Sequence, residues 1–194
     1  MSASLVNPTI SMIEPGLYLG DRTSSYDIQT LTENKISAIV SLTRKKLAVW
    51  SSPQNRELVP ENRHLIIPCM DTSTQDIIFR MPEICDFIDA QRGNGADGKN
   101  VLIHCTAGVS RSATVVVAYL MRRDRKSSND ALAAVRKKRN IRPNPGFQFQ
   151  LHVWAKVDYQ PCDDLALTIP KPAYAEFLSM RRGRLELRTY WEDI

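Results

Sequence analysis

The stretch "VLIHCTAGVSRSATVVVAYLM", residues 101–121, sets a cysteine, a glycine and an arginine in one short turn between two apolar runs. Val101-Leu102-Ile103 is short and β-branched and reads as a buried strand, whereas Ala113 to Met121 is too long and apolar for a loop and reads as a buried helix. A strand thus hands over directly to a helix N-terminus, where the first amide N–H groups lack intrahelical partners and the dipole favours negative charge. Gly108 lets the backbone turn with no Cβ in the way, so that successive N–H groups converge as an anion-binding nest. The turn reads as a cradle for oxyanions.

Cys105 sits at the mouth of that cradle, and a helix N-terminus with a neighbouring cation is the setting that lowers a thiol pKa and makes a thiolate nucleophile. Arg111 follows six residues later, and its planar fork offers two parallel hydrogen bonds to a phosphoryl group, a geometry lysine cannot reproduce. This combination predicts in-line attack on phosphorus through a phosphocysteine, with Ser112 donating a hydrogen bond to sulfur as it leaves. The competing reading is a buried structural cysteine beside an arginine that serves a salt bridge.

His104-Cys105-Thr106-Ala107-Gly108-Val109-Ser110-Arg111-Ser112 resembles the HCxxGxxRS signature of cysteine-dependent phosphatases, specifically the dual-specificity protein phosphatases. The resemblance extends over residues 10 to 160, through a PGLYLG opening at 15–20 and the segment "RPNPGFQFQL" at 142–151. It implies that Thr106 to Ser110 and Arg111 bind the phosphoryl group, that His104 orients the loop, and that Asn144 hydrogen-bonds to the loop and holds it open. Asn144 also reads as a turn residue capping the next helix. In some members of the family another cysteine pairs with the oxidised nucleophile; Cys69, Cys85 and Cys162 are the candidates here, and otherwise read as packing residues.

A phosphoester needs a proton for its leaving oxygen, so a carboxylic acid is expected on a loop after a neighbouring strand, at the sheet edge where α/β folds bind ligands. "IIPCMDTSTQD" supplies Asp71, which follows a buried strand and matches the family's general acid. Asp76 is its competitor, although its place before Ile77 suits a helix cap. The acid context is Cys-Met-Asp, not the Trp-Pro-Asp of tyrosine-specific relatives, and the chain is short. The resemblance therefore implies a shallow cleft that admits phosphoserine and phosphothreonine beside phosphotyrosine. Uncharged Thr106, Ala107, Val109 and Ser110 argue against a phosphoinositide phosphatase, and the presence of Cys105, Arg111 and Asp71 argues against a catalytically dead phosphoprotein-binding module. Both remain as alternatives.

The 194 residues, 43% hydrophobic and 24% charged, fit one soluble domain with a tail, and no run reaches the ~20 apolar residues of a membrane span. The start, MSASLVNPTISMIEPG, lacks a secretion signal and a myristoylation glycine, so cytosol or nucleus is the expected compartment. Four cysteines and three histidines make neither a disulfide scaffold nor a metal cluster; no metal and no other cofactor is expected. Residues 122–143 hold nine Lys/Arg against Asp124 and Asp130, a local +7 within a total of +5. These cations fall where helices end and read as a solvated, dipole-complementing rim able to draw in an acidic or multiply phosphorylated substrate. Phosphorylated proteins are the expected partners, and nucleic acid is not.

Ile36–Leu42 and His64–Pro68 read as further buried strands, and helical spacing follows at 26–34, 77–88, 128–140 and after Pro145. This alternation predicts an α/β domain: a central, mainly parallel twisted sheet with helices on both faces and the phosphate loop between a strand and a helix. Residues 1–9 read as an N-terminal segment, 10–162 as the catalytic domain and 163–194 as a tail. Residues 44–62, with an isolated Trp50, read as an irregular surface excursion, and "RGNGADGKN" as a glycine-rich loop. In the tail, AYAEFLSMRRG reads as a short helix and LELRTYW as a strand.

Overall fold

The computed structural model describes residues 8–93, 99–164 and 166–192, with side chains described through residue 185. The glycine-rich loop expected at 92–100 and the N-terminal segment lie largely outside these residues. Five strands, β1 (Ile10–Glu14), β2 (Leu17–Gly20), β3 (Ile36–Thr43), β4 (His64–Pro68) and β5 (Asn100–His104), form one sheet in the order β1-β2-β5-β3-β4. β1 and β2 make an antiparallel hairpin, and every other pair is parallel. The C-terminal ends of β2, β5, β3 and β4 therefore lie side by side on one edge.

Strand periodicity divides the interior in two. Ala38, Val40 and Leu42 of β3 and Val101 and Ile103 of β5 face the larger core, while Ile39 and Leu102 face a smaller one. Helices α3 (Met81–Gln91), α4 (Arg111–Asp124), α5 (Ser128–Arg136) and α6 (Pro145–Lys156) supply the larger core, and α1 (Ile28–Glu33) supplies Leu31 to the smaller. Helices thus cover both faces, as expected. The spine is α4, which is buried at every position from Arg111 to Met121, so the residues that open it are held in a continuously buried stretch of helix.

Two expectations are corrected. Residues 44–62 are not an irregular excursion: they form 3-10 turns at Ala48–Ser51 and Glu61–Arg63 around α2 (Pro53–Leu58), and Trp50, 1% exposed, anchors the smaller core with Val59. LELRTYW is not a strand: it continues α7 (Pro172–Glu192), and no strand lies among the described residues of the tail. The helix read over AYAEFLSMRRG does not stop at Gly183: the space around that residue is open and helical bonding runs on. The tail also packs on the domain, with Tyr174 and Phe177 buried in the larger core.

Candidate active site

The loop between β5 and α4 is held from outside by its carbonyls. Cys105 O accepts from His104 Nδ1 (3.2 Å), Thr106 O from Arg22 N (3.1 Å), Ala107 O from Arg139 Nη2 (3.3 Å), Gly108 O from Arg139 Nε (2.8 Å) and Val109 O from Arg142 N (2.8 Å). In a trans peptide the N–H of the next residue points opposite to the carbonyl. Five outward carbonyls therefore aim five successive N–H groups inward. Gly108 N–H shows the result, since it donates to Cys105 Sγ at 3.3 Å. Gly108 has φ +68°, and a Cβ there would lie 2.5 Å from Gly20 O, so only glycine fits. Ser110, the N-cap of α4, makes no side-chain capping bond, which leaves the helix N-terminus to the loop's interior.

Cys105 is 1% exposed. Burial alone would push its thiol up, but the Ser112 hydroxyl (3.2 Å) and N–H, the Arg111 charge and the Gly108 N–H outweigh it, and the net result is a thiol below its ordinary range. The other cysteines go the opposite way: burial pushes Cys69 and Cys85 up to about 12 and raises Cys162. All four are free thiols.

Arg111 spans the sheet edge. Its Nη1 donates to Leu42 O (3.1 Å) and Cys69 O (3.2 Å) at the ends of β3 and β4, and Nη2 donates to Thr106 Oγ1 (2.8 Å). Nε is buried with no hydrogen bond, its approach to Asp71 Oδ2 being 3.6 Å. The Nε–Nη2 edge thus offers two parallel donors with one unsatisfied, a fit for a tetrahedral oxyanion.

Asp71 stands over the loop. Its Oδ1 accepts from Ser110 Oγ (2.8 Å) and from Asn144 Nδ2 (2.7 Å). Asn144 Oδ1 caps α6 through Phe147 N–H (2.9 Å), and its backbone N–H donates to Ser110 Oγ (3.2 Å). The cap and the link to the loop coexist, and the side chain reaches the loop's neighbourhood through Asp71. Asp76 is elsewhere: its Oδ1 accepts from Phe79 N–H (3.3 Å) ahead of α3, and its Oδ2 accepts from the Tyr174 hydroxyl (2.7 Å). Asp71 lines the cleft with Arg111 and Thr106, while Asp76 does not.

Behind the loop lies a polar chain that the sequence did not reveal. Ser41 Oγ is 2.6 Å from His104 Nε2 and 2.7 Å from His64 Nε2, and His64 Nδ1 is 3.3 Å from Arg56 Nη1. Burial lowers His64 to about 3 and His104 to about 4, so both rings are neutral at pH 7. A carbonyl only accepts, so His104 carries its proton on Nδ1 toward Cys105 O, and its Nε2 accepts from Ser41. Ser41 then accepts from His64 Nε2–H, and His64 Nδ1 accepts from Arg56. Every donor has one direction, from Arg56 to the Cys105 carbonyl.

The first part of the basic stretch 122–143 proves to be tied up in ion pairs. Arg122 pairs with Asp86 and Asp89, Arg123 with Glu14 and Asp124, and Arg125 with Asp158. Arg139 serves the loop from behind, where its spacing had given no hint of such a role. Among the described residues no group of three His, Cys, Asp or Glu side chains is arranged for a metal ion. No helix among them is long and apolar enough to cross a membrane.

Comparison with known proteins agrees with this geometry. A family model described as the catalytic domain of dual specificity phosphatases matches residues 17–157. Human dual specificity protein phosphatase 15 is 40% identical over 138 residues, which cover 71% of this chain and 43% of that protein. Mouse dual specificity protein phosphatase 22 is 36% identical over 148 residues, 76% of this chain and 74% of that protein. Among solved structures, the human tyrosine phosphatase-like serine/threonine/tyrosine-interacting protein matches with a TM-score of 0.66 and 32% identity, over 76% of this chain and 96% of its own. The chain belongs to the dual specificity phosphatase family. It spans less than half the length of the human relative.

Proposed function

We propose that this chain hydrolyses phosphotyrosine and phosphoserine/phosphothreonine esters in proteins through a phosphocysteine on Cys105. The observation that carries the reading is the Cys105 thiol, held below its ordinary pKa inside a ring of inward N–H groups and under the charge of Arg111, whose buried Nε makes no hydrogen bond. Sγ attacks phosphorus as the bond to the leaving oxygen breaks, the phosphoryl oxygens rest on the loop N–H groups and the Nε–Nη2 edge of Arg111, and Asp71 gives its proton to the leaving oxygen. Water then attacks the phosphocysteine, Asp71 takes its proton, and Sγ departs with the Ser112 hydroxyl donating to it. Thr106 to Ser110 bind substrate through backbone. His104 and Asn144 orient the loop and the acid.

The test is phosphate release from matched phosphotyrosine and phosphothreonine peptides by the wild-type protein and by Cys105→Ser, with reductant and without metal. Turnover of both peptides, abolished by the substitution, is the expected result. Binding without turnover would instead make the chain a phosphoprotein-binding module, a reading to which the "interacting protein" name of the solved neighbour lends interest. Hydrolysis confined to phosphoinositides would overturn the protein-phosphatase reading.

A further inference from the structure

The cleft that contains Thr106, Asp71 and Arg111 has a volume of about 630 Å³, larger than one phosphorylated side chain needs, and its remaining lining includes Arg22, Arg44, Lys45 and Lys46. Strand order explains this gathering. Gly20 of β2 is in register with His104 of β5, and Ser41 of β3 is in register with the same His104 from the other side. Arg22 therefore follows the strand on one flank of the Cys105 loop, and Arg44-Lys45-Lys46 follow the strand on the other, each about 5 Å away in the sheet's cross-strand direction. All four side chains are exposed.

Partners decide what these cations are available for. Lys46 is paired with Glu61 at 3.1 Å. Among the described residues, Arg22, Arg44 and Lys45 have no side-chain hydrogen bond or ion pair, and they line the cleft, whereas Arg122, Arg123 and Arg125 of the longer basic run are paired and its exposed Arg136, Lys137, Lys138 and Arg142 do not line it. The turn that presents Arg44 and Lys45 is itself held, because Thr43 Oγ1 donates to Lys45 O at 2.9 Å. Met70, 47% exposed, together with Leu47 and Ala48, adds an apolar strip to the same cleft. Cations on both sides of a nucleophile, with an apolar strip beyond the Arg44–Lys46 flank at the end of β4, fit an extended peptide and not a lone phosphate.

Resting on the proposed phosphatase activity, we infer that the substrate is an acidic phosphopeptide, with negative groups on both sides of the phosphorylated residue received by Arg22 on one flank and by Arg44 and Lys45 on the other. The basic determinant is thus three residues spread over two loops, not the numerically richer run at 122–143. Charge-assisted contacts of this exposed kind each contribute a factor of roughly 1.5 to 5, so three together favour an acidic peptide over a neutral one by about tenfold in kcat/KM. They weaken with salt.

The experiment compares phosphotyrosine peptides of one length flanked by glutamine, by glutamate, or by glutamate with one neighbouring phosphoserine, using the wild-type chain and the Arg44→Gln/Lys45→Gln and Arg22→Gln variants. Because the readout is the ratio of acidic to neutral peptide within each variant, any general loss of activity cancels. The expected result is a preference of about tenfold for the acidic peptides, falling toward unity in the Arg44→Gln/Lys45→Gln variant and in 0.5 M NaCl; the phosphoserine arm tells whether carboxylate or phosphate is preferred. Equal rates for all peptides, or a preference that survives both variants, would overturn the inference while leaving the phosphatase reading intact. Failure to hydrolyse any peptide would sink that reading first. The same ratios, measured then as binding affinities on Cys105→Ser protein, would decide the flanking preference on their own, with equal affinities counting against it.

Discussion

Ser41 and His104 are joined by a 2.6 Å hydrogen bond that connects the middle of the sheet to the carbonyl of the candidate nucleophile. The two residues face the smaller core because each lies two positions along its strand from a residue of that core, Ile39 and Leu102. Ser41→Ala removes the donor to His104 Nε2 and the acceptor for His64 Nε2–H, leaving two buried ring nitrogens unsatisfied. The expected cost is about 1–3 kcal/mol of stability, read as a lower midpoint in urea. The pH profile of Cys105 alkylation is also expected to move upward, since His104 no longer holds the loop's first carbonyl in one orientation. An unchanged profile would limit Ser41 to a packing role.

The two buried histidines make stability depend on pH in a defined window. Both are lowered in the folded chain, His64 to about 3 and His104 to about 4, from ordinary values near 6.5. Between those limits the unfolded chain binds protons that the folded one refuses, so stability rises with pH there and falls on acidification below pH 6.5. Carboxylates contribute little above pH 5, and the interval from 6.5 to 5 isolates the histidine effect. The thermal midpoint is expected to drop across that interval, and His104→Asn should flatten the dependence. A midpoint independent of pH from 6.5 to 5 would contradict the neutral-ring hydrogen-bond directions.

Selective modification tests the environment of the cysteines. Cys105 is held low by Ser112, Arg111 and Gly108 against its own burial, while Cys69 and Cys85 stand near 12 and Cys162 is raised. Iodoacetamide at pH 6.5 is expected to label one cysteine of four, identified by mass spectrometry as Cys105, and inorganic phosphate should protect it. Ser112→Ala removes the leading favourable contact to Sγ, and labelling should then require higher pH. Equal labelling of a second cysteine would show that burial does not silence the others.

How much of this was legible beforehand follows from the range of each interaction. The β5-loop-α4 unit is local: strand, glycine and helix lie within 25 residues from Asn100 to Asp124 and constrain one another in sequence. Asp71 was legible because a strand end predicts a sheet edge. Arg139 was not, because its bonds to Ala107 and Gly108 span more than 30 residues and look in sequence like one cation among nine. Trp50 was hidden for a related reason: its partners, Leu31, Ile39, Val59 and Leu102, come from four separate segments, so no periodicity announces the smaller core. The tail misled because LELRTYW alternates like a strand. Docking of Tyr174 and Phe177 anchors the first turns of α7, after which each further helical bond fixes only one more residue.

Gly108→Ala probes the cradle directly. At φ +68° an L residue is strained by about 1–2 kcal/mol, and the new Cβ would meet Gly20 O at 2.5 Å and Arg139 Nη2 at 2.6 Å. The loop must move away from β2, which disturbs the N–H group donating to Cys105 Sγ. The expected outcome is a modest fall in thermal midpoint with a loss of at least about a hundredfold in phosphate release, the scale on which oxyanion donors act. Retained activity would mean that the loop tolerates a shift its carbonyl anchors forbid.

The segment that follows Asp71 is clamped by α6 and by the tail helix α7. Tyr174 donates to Asp76 Oδ2 (2.7 Å), Arg181 Nε donates to Thr74 O (2.6 Å), and Gln150 of α6 bonds Ile77 N–H (2.9 Å) and Gln75 O (2.8 Å). Gly146 admits Ser73 so closely that a Cβ would lie 2.6 Å from Ser73 O. Residues 73–77 thus rest on α6 and α7, and Asp71 sits two residues before this anchored segment. Tyr174→Phe removes one hydrogen bond and keeps the ring in the core, so its stability cost should be about 1 kcal/mol. Its kinetic effect should depend on the leaving group, because only poor leaving groups need the proton that Asp71 is proposed to supply. Phenyl phosphate is expected to slow several-fold while 2,4-dinitrophenyl phosphate holds its rate, and Asp71→Asn should show the same split in a larger form. Equal slowing of both esters by Tyr174→Phe would place the tail's influence on the phosphate loop instead of the acid.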